Sequence, residues 1–128
     1  MGKKVEVWMD PADESGTVFI VMRELTTPEE CRHILGRISS AHEVDLCVRQ
    51  VEKKNLSSHV ALAIRPKQWP REIADVVLAQ MMEICRKAGG EVSENAIARV
   101  QRNFKVLCER KTAEASRRVQ KSAERYWV

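Results

Sequence analysis

A chain of 128 residues, 44% apolar and 31% charged, has the composition of one folded domain with a real core, which argues against wholesale disorder. No apolar run approaches the length that crosses a bilayer, so a membrane-spanning helix is excluded at the level of sequence. The net charge is only +4, but it is unevenly placed. Residues 95–128 hold nine Lys/Arg against three Glu, a surplus of six, whereas positions 1–94 hold thirteen basic and fifteen acidic residues. Basicity gathered at one end favours an anionic partner: nucleic acid, an acidic protein face or anionic lipid. The same run, broken by Glu109, Glu114 and Glu124, also describes a solvated helix face.

Taken in order, Lys3 to Met9 alternates, with Val5, Val7 and Met9 on one side and Lys4, Glu6 and Trp8 on the other. Period two predicts a strand with one buried face. The turn formers Asp10 to Gly16 reverse the chain, and Thr17 to Arg23 is apolar on both faces, as an interior strand requires. Thr27-Pro28-Glu29-Glu30 is a helix start: Thr27 caps, Pro28 suits the first helical position and Glu30 completes a capping box. The stripe Cys31, Ile34, Leu35 and Ile38 carries that helix to about Ser39-Ser40.

Glu43 to Val51 alternates again, Lys53 to Ser58 is a polar turn, and His59 to Arg65 is the returning strand. Pro66 to Pro70 leads into a second helix from about Arg71 to Ala88, and Trp69 is expected to pack beneath it. Its wide apolar arc (Ile73, Val76, Val77, Met81, Ile84, Cys85) suits a helix placed between the sheet and the last helix. Gly89-Gly90 ends it without Cβ strain, and Val92 staples to Ile97 across the cap Ser93.

The last segment, Ser93 to Val128, reads as one helix with two characters. Ile97, Val100, Phe104 and Leu107 form an apolar stripe in its first half. Beyond Cys108 the stripe thins, and Arg110, Lys111, Arg117, Arg118, Lys121 and Arg125 precede Tyr126-Trp127-Val128. Roughly 33 helical residues at 1.5 Å each span about 50 Å, more than the width of a compact domain this size. The expected fold is α+β: an antiparallel sheet in β-β-α-β-β-α-α order, helices on one face, and a long C-terminal helix. Residues 1–109 form the globular domain, including the first half of the last helix, and 110–128 a basic helical extension. Packing of a second copy on Leu107 to Val119 makes a homodimer the expected assembly.

Motifs that carry chemistry are scarce. Four cysteines occur, Cys31, Cys47, Cys85 and Cys108, with no C-x-x-C pair; they read as reduced thiols of a cytoplasmic protein. Residues 1–6 lack a secretory apolar segment, and Glu6 stands where a myristoylation signal needs Ser or Thr. The three histidines, His33, His42 and His59, lack the paired spacing of a zinc motif, so no metal is expected. Cys47 shares a strand face with Arg49, which can lower a thiol pKa, but no base is fixed beside it by sequence. No glycine-rich phosphate loop is present, and neither an enzyme nor a cofactor is indicated.

The basic helix is the stronger feature. Arg99, Arg110, Arg117 and Lys121 are spaced by 11, 7 and 4 residues, close to whole turns, so they align as a ridge suited to phosphates. Trp8, on the polar face of the first strand, and Tyr126-Trp127, at the end of a charged helix, are the other candidate contacts. A covering loop would bury Trp8 instead. The expected function is a small, non-catalytic nucleic-acid-associated module that touches phosphates through Arg99, Arg110, Arg117, Arg118, Lys121 and Arg125. The rival is an adaptor or inhibitor that grips an acidic protein surface with the same helix and its terminal aromatics. Neither reading involves a membrane.

Overall fold

The computed structural model describes the backbone of residues 3–9, 14–22, 27–53 and 56–126, and the side chains of these except at 3–4, 51–53, 56–59 and 115–126. The elements run β1 (Lys3–Met9), β2 (Val18–Met22), α1 (Pro28–Leu35), β3 (Val44–Lys53), β4 (Leu56–Pro66), α2 (Ile73–Lys87), β5 (Gly90–Glu91) and α3 (Glu94–Tyr126). Among the described residues the strands form one sheet of order β3-β4-β2-β1-β5. Its first four strands are antiparallel neighbours, joined as the hairpins β1–β2 and β3–β4 and by the pairing of β2 with β4. The α+β architecture is thus the one the alternation and helix signals predict.

Alternation places the apolar half of each strand on the helix side. Val7 faces Ile20, Ile20 faces Leu62, and Leu62 faces Val48, all within one core that also holds α1, α2 and α3. The three helices lie in one layer. Helix α1 packs on β3 and β4, α2 on β4 and β5, and α3 directly on β1, with α2 touching both other helices. This corrects the expectation that α2 lies between the sheet and α3. The wide apolar arc of α2 is used sideways, against a helix on each flank and the sheet below. Ile73, Val77, Met81 and Ile84 are fully buried as a result.

Local signals act where they were expected, with shifts at the ends. The Glu30 N–H donates to Thr27 Oγ1 at 3.3 Å, and the Thr27 hydroxyl donates to the Glu30 carboxylate at 2.9 Å. Helix α1 stops at Leu35 rather than near Ser39, yet Ile38 remains buried in the core. The β3–β4 hairpin is tighter than the polar run suggested, because β4 begins at Leu56 and an irregularity between Val51 and Lys53 adjusts its register. Gly89 has φ +75°, the left-handed residue after α2, and Ala96 N–H donates to the Ser93 hydroxyl at 3.1 Å to cap α3. Between these two signals, Gly90–Glu91 pairs in parallel with Lys3–Lys4. Two residues carry no periodicity, so this strand is invisible to pattern reading.

Gln80 is the buried polar group that ties the layer together. Its amide accepts from Ala41 N–H and donates to Ser39 C=O, each at 3.4 Å, fixing the α1–β3 connection on α2. Gln80→Leu keeps the volume but leaves that N–H and C=O without their partner. Since both bonds are long, the expected loss is about 1 kcal/mol, the low end for orphaned groups. A urea midpoint unchanged from the parent chain would show that the clamp contributes nothing.

Candidate functional site

Helix α3 is anchored by one stripe and exposes another. Ala96, Val100, Phe104 and Leu107 are buried, each large member worth about 1.5–3 kcal/mol. Arg99, Arg102, Lys105 and Arg110 are exposed. Arg99 and Arg110 are eleven residues apart on this helix, three turns or about 16 Å along the axis. Lys111, next to Arg110 but not part of that row, turns elsewhere. Its ammonium sits 4.4 Å from the ring centroid of Trp69, a cation–π contact that draws it toward the core. Val106, also on α3, is 46% exposed. The side chains of Arg117, Arg118, Lys121, Arg125 and Tyr126, and all of Trp127, lie outside the described residues.

Trp69 itself packs against α3 rather than simply under α2. Its ring meets Phe104 with centroids 5.8 Å apart, and both rings close on Gly16. Pro66 and Pro70 stiffen the segment that brings it there, but the partner, 35 positions further on, leaves no local trace.

Trp8 and Arg99 border one small cleft where β1 meets α3, although the Trp8 ring itself lies on the opposite face of the sheet. The cleft, of about 70 Å³, is lined by Val7, Trp8 and Met9 of β1 and by Arg99, Val100 and Asn103 of α3. Trp8 is half-buried, between the exposed and covered alternatives, and its ring stacks on Phe19 at 5.6 Å with 24° between planes. This aromatic pair stands on the sheet face turned away from the helices. Sequence reasoning missed it because a loop of this length between β1 and β2 leaves the register open, and one residue of slip would separate the rings. The usable signal was Phe19, an aromatic at the non-core position of an interior strand.

Beside the pair, Ser15, Thr17, Phe19, Cys47, Arg49, Gln50 and Arg65 line a concavity of about 310 Å³. The Ser15 and Thr17 hydroxyls are 2.7 Å apart at its margin. Arg65 is cross-strand partner to Asp45, whose carboxylate meets Lys67 Nζ at 3.6 Å. Cys47 is half-buried in this concavity.

The other thiols belong to the core. Burial pushes Cys85 up to about 12, and burial also raises Cys31, helped by the nearby Glu30 charge. Cys108 is raised by burial against the opposing pull of Lys111. All three are protonated at neutral pH and poor nucleophiles. His33 and His42 are exposed, and His42 Nε2 lies 3.1 Å from Glu43 Oε1; the His59 side chain lies outside the described residues. Among the described residues no three His, Cys, Asp or Glu side chains gather as a metal site, and no helix is long and apolar enough to cross a membrane. Comparison with known protein families, with curated protein sequences and with solved structures found no match.

Proposed function

We propose that this protein is a small, non-catalytic nucleic-acid-associated module that contacts phosphates along the basic side of α3. The observation that carries the reading is the division of that helix. Val100, Phe104 and Leu107 fix it to the core, while Arg99, Arg102, Lys105 and Arg110 stand exposed on the same rigid rod. A cationic array held by a helix binds phosphate without first ordering itself, and each neutralised phosphate releases a counterion. Arg117, Arg118, Lys121 and Arg125 extend the array in sequence. The four free thiols suit a reducing compartment such as the cytoplasm.

The test is binding of the full chain to duplex DNA and to single-stranded RNA across a salt series. With about four phosphate contacts, log affinity should fall against log salt with a slope near −3.6 on duplex and −2.8 on single strands. Changing Arg99, Arg110 and Arg117 together to Glu should lower affinity at least tenfold and flatten that slope. Absence of binding even at low salt removes the reading.

A second reading rests on the aromatics Tyr126-Trp127 at the end of the charged sequence: α3 and these residues grip an acidic protein surface or a second copy of the chain. Such a complex would tolerate salt and weaken on Val106→Asp, whereas a monomer at micromolar concentration in sedimentation removes the homodimer.

A further inference from the structure

The sheet register sets Trp8, Phe19, Ala63 and Cys47 in a single transverse row, one residue from each of β1, β2, β4 and β3. The first two are stacked rings. The third is a small, fully covered residue, so the line of rings stops at Phe19, and Phe19 and Cys47 on either side of it both line the 310 Å³ concavity. Arg49, two positions along β3 from Cys47, and Arg65, two along β4 from Ala63, border the same space and are exposed.

We propose that this concavity is a nucleotide site. A base lies against Phe19 on the side of Cys47, continuing the Trp8–Phe19 stack, and its phosphate lies between the guanidiniums of Arg49 and Arg65. The chemistry selects this ligand class over others. Stacking rewards any flat π-system, and the concavity beside the Phe19 ring has room for one. Guanidiniums fork onto phosphate oxygens with charge-assisted bonds that an apolar ligand cannot offer. A simple anion would use the arginines and leave the ring wall empty. The volume stands at the lower end of small-ligand sites, the scale of one base rather than a dinucleotide cofactor. The site uses no residue of α3, so it holds or fails independently of the α3 reading.

The test titrates the full chain at low salt with a nucleoside 5′-monophosphate, a single-stranded hexanucleotide and ribose 5-phosphate, by calorimetry. The nucleotide is expected to bind at least fivefold tighter than ribose 5-phosphate. Phe19→Leu, which keeps apolar bulk but removes the ring, should weaken nucleotide binding by roughly tenfold, the scale of one stacked base. Changing Arg49 and Arg65 together to Gln should weaken it as much and reduce the salt slope for the hexanucleotide by about 1.4. These two side chains are exposed, so that variant keeps the proposal open to refutation if Phe19→Leu fails to fold. Equal affinity for nucleotide and strand assigns a free nucleotide; tighter strand binding, still lost in Phe19→Leu, assigns single-stranded nucleic acid, and both support the site. No binding at millimolar nucleotide, equal affinity for ribose 5-phosphate, or folded variants that bind like the parent would overturn it.

Discussion

Phe104→Ala is expected to remove about 3–5 kcal/mol of folding free energy, the range for truncating a buried aromatic. Phe104 is fully buried where α3 meets the core, 5.8 Å from Trp69 and within reach of Gly16. The ring therefore joins three distant stretches: the turn before β2, the segment before α2, and α3. Their rigidity limits collapse into the void, which places the loss toward the upper part of that range. Against a total of roughly 5–15 kcal/mol for a domain, this is a large fraction. Phe104→Leu keeps most of the volume and should cost about 1–1.5 kcal/mol. Denaturant unfolding of the two variants checks the pair, and losses of equal size would show that volume at this position is not the issue.

Gly16→Ala should be nearly as damaging, at about 2–5 kcal/mol, for two reasons that add. Gly16 has φ +71°, where a Cβ costs about 1–2 kcal/mol. That Cβ would also lie 2.7 Å from Trp69 Cη2, 2.9 Å from Cζ2 and 3.3 Å from Phe104 Cε1, an overpacking worth a further 1–3 kcal/mol. Gly89 separates the terms. It has φ +75°, but a Cβ there meets nothing within 4 Å, so Gly89→Ala should lose only the backbone part. Thermal or chemical unfolding of both variants checks the difference. Equal losses would mean that Trp69 moves aside freely and the contact stores no cost.

The fold was legible where the cause is local. Alternation in β1, the Thr27 and Ser93 caps, and the left-handed Gly89 each act within a few residues, and each lies in its expected place. What escaped is long-range. The single layer of helices depends on how wide the sheet is, which the apolar arc of α2 does not reveal. Trp69 finds Phe104, and Trp8 finds Phe19, only once the sheet has chosen its register. The basic side of α3 was legible because the helix itself was, and helical spacing alone aligns Arg99 with Arg110. The sheet side was not, since its row draws one residue from each of four strands and no sequence window contains it.

The parallel pairing of Lys3–Lys4 with Gly90–Glu91 has a consequence for the order of assembly. Residues 3 and 90 are 87 positions apart, and closing a loop of that length costs about 4 kcal/mol beyond a constant term. A two-residue bridge cannot offset that, so it forms only after α2 and α3 have docked and delivered it. The hairpins β1–β2 and β3–β4 close connections of only eight and two residues, so their loop-closure cost is far smaller. Until the bridge arrives, the start of β1 offers unpaired N–H and C=O groups to any other extended chain. A contact with so large a loop-closure cost thus also shields this part of β1 from intermolecular strand pairing, and crowding by other nascent chains would be most harmful before it forms.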